Sequence, residues 1–150
     1  MKLLALILAA TLATFASLAQ AADGFITVKS SRSVAATMER VEALAKLRGM
    51  TVFARIDHAV GAAKIGKTLR PTQVIIFGNP KGGTPFIECA QTVGIDLPLK
   101  MLVWQDANGQ VWLGYNDPAY LALRHGAGKC AVVSNLRKAL DDLAEASSAP

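Results

Sequence analysis

Apolar and polar residues alternate along this chain with two different periods, and the changes of period divide it into short elements. Phe25 to Ser30 (FITVKS) alternates and is β-rich, which predicts a first strand. Ser33 then stands as N-cap before Val34, Met38, Val41 and Ala45, which recur at helical spacing; Leu44 and Leu47 widen the stripe, and Glu42 and Lys46 pair across one turn. Gly49 ends that helix. Thr51 to Ile56 predicts a second strand and Gln73 to Phe77 a third, with Ala59 to Lys67 between them as a short helix or a loop. The third strand is apolar at successive positions, so both of its faces are expected to be covered. Gly78 to Gly83 reads as a turn, and Thr84 (N-cap) with Pro85 at the first helical position opens a helix whose stripe is Phe86, Cys89, Ala90 and Val93. Asn108-Gly109 lies between two apolar runs, Leu99 to Gln105 and Gln110 to Tyr115, and predicts a two-residue type I′ hairpin. With that turn, Trp104 faces Leu113 and Leu102 faces Tyr115, while Trp112, Gln105, Val103 and Gly114 lie on the other side; a one-residue slip would change the sides. Asp117-Pro118 starts a short helix ending near His125-Gly126. Ser134 caps a last helix with Leu136, Leu140 and Leu143 on one stripe, and Ser147 to Pro150 is a frayed tail.

This order of elements predicts an α+β domain, a mainly antiparallel sheet with helices on one face. The second face is left open and carries Val103, Trp112 and one side of Val74 to Phe77. An apolar, uncovered sheet face marks a partner or ligand surface, and a symmetric homodimer is the simplest way to bury it.

Composition changes the picture at the N-terminus. Met1 and Lys2 form a basic start, Leu3 to about Ala16 is an apolar run diluted by Thr11 and Thr14, and Ala19-Gln20-Ala21 is a small-x-small site. Residues 1–21 are therefore expected to be a signal peptide, with residues 22–150 as one domain and no membrane span after cleavage. Without the leader, the 52% hydrophobic content of the whole chain falls to roughly 48%, ordinary for a globular protein. The expected compartment is the periplasm or the outside, where conditions are oxidising. Cys89 and Cys130 allow one bridge, worth about 3–4 kcal/mol by loop entropy, or two separately buried thiols.

Charge is uneven. Lys29 to Arg70 holds 9 basic and 3 acidic residues, whereas Pro71 onward holds 6 basic and 7 acidic. Export makes nucleic acid a poor partner for the basic half, and aromatics are not interleaved with the basic residues. Solvated surface charge is the plainer reading, with envelope anions or an acidic partner as the other.

Several segments together resemble the domain-of-unknown-function 302 family (DUF 302): Phe77-Gly-Asn-Pro80, Leu97-Pro-Leu-Lys100, Val111 to Asn116, Asp57-His58 with the Ala/Gly run after it, and Leu69-Arg-Pro-Thr72. The resemblance covers about Phe25 to Leu143. It implies a TATA-binding-protein-like β-α-β(4)-α domain, usually dimeric, with no DNA binding implied by the fold. It also raises His58 as a site residue. The leader and the cysteine pair are not part of it.

Candidate chemistry is sparse. The loop Asn79, Lys81, Gly82, Gly83, Thr84 before a helix start could offer backbone N–H groups to a small anionic ligand, but it lacks the Gly-Lys-Ser/Thr ending of a phosphate-binding loop. The alternative for these residues is plain turn punctuation. Asp57 could orient His58 for ligand binding or proton transfer, or His58 is a partly exposed loop residue. His125 is expected to interact with its helix C-terminus. The separations of His58, Cys89, His125 and Cys130 fit no zinc spacing, and no Cys-x-x-Cys-His haem motif occurs, so no cofactor is expected. No hydrolase motif is present, and no residue is singled out as catalytic. Two readings remain: a dimeric, non-catalytic small-ligand or partner-binding module, and an envelope redox or metal-binding protein or enzyme that uses His58 with a cysteine.

Overall fold

The computed structural model describes residues 24–150; the leader and its cleavage after Ala21 lie outside the described residues. The strands are β1 (Phe25–Ser30), β2 (Thr51–Asp57), β3 (Thr72–Gly78), β4 (Leu99–Gln105) and β5 (Val111–Asn116). The helices are α1 (Val34–Leu47), α2 (His58–Ala63), α3 (Pro80–Cys89), α4 (Pro118–Arg124) and α5 (Val132–Ser148), with a 3-10 turn at Gln91–Ile95. All five strands form one sheet in the order β1-β5-β4-β3-β2, and every neighbouring pair is antiparallel. This is the α+β class expected from the periodicity.

Helix α1 forms as its pattern dictates. Ser33 Oγ accepts from the Ala36 N–H at 3.2 Å, and Val34, Thr37, Met38, Val41 and Ala45 make the buried stripe. Leu47 leaves the stripe and is 82% exposed. The stripe packs with α5 residues Leu140, Leu143 and Ala144 against the inward rows of the sheet: Ile75, Phe77, Met101, Val103, Val111, Leu113 and Tyr115. Each large apolar side chain so buried contributes about 1.5–3 kcal/mol before entropy is charged. Phe86, Val93, Leu121, Ala122 and Ala127 form a second, smaller core between α3, the 3-10 turn and α4, with Leu136 of α5 packed against it.

Several boundaries differ from the sequence expectation. Helix α3 starts five residues earlier than Thr84-Pro85, with Asn79 as N-cap and Pro80 at its first position, so the supposed glycine turn is helical. Helix α5 starts before Ser134, which instead donates back to the Ala131 carbonyl at 3.4 Å. The tail is held down rather than frayed: Ser147 is fully buried, the Ser148 carbonyl accepts from the Ser31 backbone N–H, and Arg32 Nε donates to the Ala149 carbonyl at 2.8 Å.

The hairpin contains the most consequential difference. Trp104 pairs with Trp112, Leu102 with Gly114, and Val103 with Leu113. The loop is longer than the two-residue turn expected from Asn108-Gly109. The Gly109 N–H donates to the Asp106 carbonyl, and Gly109 has φ +82°, a left-handed geometry suited to glycine. Asp106 draws the turn in: its Oδ1 accepts from the Asn108 and Gln110 N–H groups at 2.8 and 3.0 Å, and its Oδ2 from Trp112 Nε1 at 2.8 Å. That one-residue shift moves β4 over relative to β5. Val103, expected on the open dimer face, is instead 0% exposed in the main core, and Trp104 and Leu102 take the open side.

Candidate functional site

The outward face of the sheet can be read across its registers. One row runs Lys29, Trp112, Trp104, Thr72, and the next runs Thr27, Gly114, Leu102, Val74, Ile56. Ile76 and Ala54 pair beyond them. None of these outward side chains belongs to either buried cluster. The Trp104 and Trp112 rings stack at 6.4 Å between centroids, and Phe25 tilts against Trp104 at 6.0 Å. Gly114 makes this possible, since a Cβ at that position would stand 2.4 Å from the Phe25 ring and 3.1 Å from that of Trp104. At the far edge, a register irregularity between Val52 and Ala54 leaves Phe53 58% exposed, near Gly78.

These outward rows contain no carboxylate, and the two lysines of this face, Lys29 and Lys100 opposite Ile76, each have a partner. Lys29 Nζ lies 5.4 Å from the centre of the Trp112 ring, a cation–π distance. Lys100 Nζ donates to the Asp96 and Pro98 carbonyls at 3.0 and 2.9 Å. The result is an aromatic and aliphatic surface whose two cations each have a partner within the chain.

The sequence-derived candidates fall elsewhere and do not come together. Asn79 is occupied at both ends of its amide: Oδ1 accepts from the Lys81 N–H at 2.9 Å, and Nδ2 donates to the Gly49 carbonyl at 2.8 Å. The Gly82 and Gly83 N–H groups donate to the Asn79 carbonyl, so the donors that would have faced an anion are used within the chain. Gly82 serves packing instead, because a Cβ there would stand 2.8 Å from Leu136 of α5. Lys81 and Thr84 are exposed on α3.

His58 is the exposed first residue of α2. Its neighbour Asp57 does not orient it. The Asp57 Oδ1 caps α2 through the Val60 N–H at 3.0 Å, and its Oδ2 accepts from Gln73 Nε2 at 2.9 Å. The Val60 N–H chiefly, with Gln73 adding to it, holds this carboxyl below the usual aspartate range.

Cys89, expected in the buried stripe of α3, is exposed at its end and joined by a disulfide to Cys130, with Cα atoms 5.9 Å apart. The pairing of His58 with a cysteine therefore has no thiol to use. Among the described residues, no group of three or more His, Cys, Asp or Glu side chains is placed to hold a metal ion.

His125, expected to do no more than complement a helix end, clasps two elements together. Its Nε2 lies 2.7 Å from Asp96 Oδ2 and its Nδ1 3.0 Å from Thr92 Oγ1, while Arg124 meets Asp96 Oδ1 at 3.1 Å. The imidazole is only 8% exposed. Sequence spacing could not show this contact, because the partners lie about thirty positions upstream.

A five-stranded antiparallel sheet with helices on one side and an aromatic surface on the other defines an open-faced α+β module. The model of the family described as "Domain of unknown function DUF302" matches residues 26–143, and the chain belongs to that family. The crystal structure of an uncharacterized conserved DUF302 protein from Bacillus stearothermophilus shares the fold, with a TM-score of 0.74 and 24% identity over 84% of this chain and 99% of that one. The fluoride-specific ion channel FluC 1 of Brucella suis biovar 1 is 53% identical over 106 residues, 71% of this chain and 42% of that protein. FluC 1 of Brucella abortus biovar 1 matches at the same identity and length, with 39% of that protein covered. The chain thus spans about two fifths of these curated relatives.

Proposed function

We propose that the protein is an exported, non-catalytic binding module that pairs with a second copy of itself through the open face of its sheet. The observation that carries this reading is the aromatic surface of Phe25, Trp104 and Trp112, continued by Leu102, Val74, Ile76 and Ile56. A second copy fits its chemistry. Sheets stack face to face about 10 Å apart through interdigitating apolar side chains. The outward rows hold no carboxylate, and the ammonium groups of Lys29 and Lys100 have partners within their own chain, the Trp112 ring and the Asp96 and Pro98 carbonyls, so the apolar patch of Trp104, Leu102 and Val74 can pair without burying an unpartnered ion. The binding reading gains from the polar side chains first considered for chemistry: Asn79 and Asp57 act as helix caps, and both cysteines are bridged. The bridge also accords with an oxidising compartment, as the leader does. Native mass spectrometry and light scattering of the exported form test the reading. The wild type is expected to be a dimer, and Leu102→Glu a monomer with an unchanged circular dichroism spectrum. A monomeric wild type overturns it.

A second reading is favoured by the Brucella relatives. The stretch similar to this chain makes up about two fifths of proteins named as fluoride-specific ion channels. No helix among the described residues is long and apolar enough to cross a membrane. On this reading the module works as an accessory to a membrane channel, which the rest of those relatives would supply. Co-expression with such a channel, followed by affinity capture and a fluoride-tolerance assay, is expected to show co-purification and altered tolerance. If the channel is recovered without the module and tolerance is unchanged, the accessory role fails.

A further inference from the structure

The Cys89–Cys130 bridge lies apart from the open sheet face and stands at the lip of the smaller core. Cys89 is the last residue of α3 and is exposed. Cys130 is partly buried in the connection between α4 and α5 and packs against the cluster of Phe86, Val93, Leu121, Ala122 and Ala127. Both cysteines line an open hollow of about 550 Å³ together with Leu123, Gly126, Gly128 and Lys129. Leu123 is 73% exposed there.

The backbone hydrogen bonds of the connection are local. The Gly126 N–H donates to Leu123, Ala127 to Ala122, Cys130 to Ala127, and Val133 to Cys130. The connection is therefore held to α3 by the covalent bridge together with the packing of Ala127 in the Phe86 cluster. One turn away, His125 and Arg124 tie the end of α4 to Asp96 and Thr92 across the same seam. The main core of α1, α5 and the sheet does not include the bridge.

We propose that this bridge is a thiol–disulfide exchange site for an external dithiol, and that its reduction frees the 126–131 connection and loosens the smaller core while the main core stays folded. Exposure directs attack to Cys89. A thiolate of the dithiol attacks Cys89 Sγ, forming a mixed disulfide; the Cys89–Cys130 bond breaks, and its electron pair leaves on Cys130, which takes a proton from water. Lys129, lining the same hollow, favours that departing thiolate. The second thiol of the reductant, once deprotonated, attacks its own sulfur in the mixed disulfide and releases Cys89 as a thiolate that is then protonated. In sum, two electrons and two protons pass to the cysteines, and the reductant leaves as an internal disulfide.

The test uses the folded protein without denaturant. Dithiothreitol, and in a separate arm a protein dithiol of the Cys-x-x-Cys type, are added while free thiols are counted by alkylation and mass spectrometry. Both are expected to open the bridge, the protein dithiol faster if the hollow receives a protein and no faster if a small dithiol suffices. Hydrogen exchange of the reduced wild type should rise in residues 80–96 and 118–131 and stay unchanged in α1 and the sheet. Cys130→Ser, which leaves Cys89 free, should form a mixed disulfide with oxidised glutathione about tenfold faster than Cys89→Ser, because access governs the attack. A bridge that resists both dithiols until urea unfolds the chain overturns the proposal. So does a reduced protein with the exchange pattern of the oxidised one, or equal trapping rates in the two variants.

Discussion

Asp57 shows how one carboxylate can do structural work where its position beside His58 suggests chemistry. Its two oxygens cap α2 and hold Gln73, and the Val60 N–H chiefly lowers its folded pKa. A depressed carboxyl contributes stability that is present above the unfolded value, about pH 4, and is lost as pH falls through the folded one. Asp57→Asn, which can still cap, should flatten the acid limb of a Tm–pH profile. Asp57→Ala should cost about 1 kcal/mol at neutral pH in urea unfolding. Tyr115 behaves in the opposite sense. Burial first, and then its hydrogen bond to the Asp141 carboxylate, push its phenol well above the usual tyrosine range. Its contribution is therefore complete below the unfolded value of about pH 10 and is lost as pH rises towards the folded one. Tyr115→Phe should lower stability by about 1 kcal/mol at neutral pH and weaken the alkaline decline, as followed by thermal melts. Neither partner is local: Asp141 lies 26 residues from Tyr115, and Gln73 lies 16 from Asp57.

The hairpin carries the argument at the scale of elements. Asn-Gly correctly marks the turn, but the Asp106 side chain sets its length, and with it the face on which Trp104 lies. The alternation in β4 reads equally well in either direction, since Leu102 and Trp104 are as apolar as Met101 and Val103. Gly114 is the complementary device, a missing side chain over which the Phe25 and Trp104 rings close. Gly114→Val should overpack that spot and cost about 1–3 kcal/mol, with a changed tryptophan emission reporting the displaced rings. Unchanged emission and stability would show that the rings do not depend on the gap. Asp106→Ala should lower Tm and shift the same emission, because it releases Trp112 Nε1 and both turn N–H groups.

Over the whole molecule, two cores of unequal size share α5. The sheet, α1 and most of α5 form the larger, while α3, the 3-10 turn, α4 and the start of α5 form the smaller. The disulfide spans the smaller one across 41 residues. Replacing both cysteines, Cys89→Ser with Cys130→Ser, should lower stability by about 4 kcal/mol in urea denaturation, the loop-entropy expectation for a closure of this length. A loss well under half of that would mean that the unfolded chain gains little freedom from the cut.

The sequence alone determined the order of the strands and longer helices, with α2 left open between helix and loop, because periods of two and of about 3.6 residues follow directly from backbone geometry. It also determined the caps at Ser33 and Asp117, the α+β class and the family. Tertiary structure decided which side of β4 faces the helices. It turned Asn79 to Thr84 from a loop into a helix and brought Cys89 to Cys130 and His125 to Asp96. The physical reason is common to all four: each depends on which distant group meets a donor, an acceptor, a thiol or an apolar face, and local spacing does not encode that choice. The outward rows are left uncovered because the packing of α1 and α5 covers only the other side of the sheet.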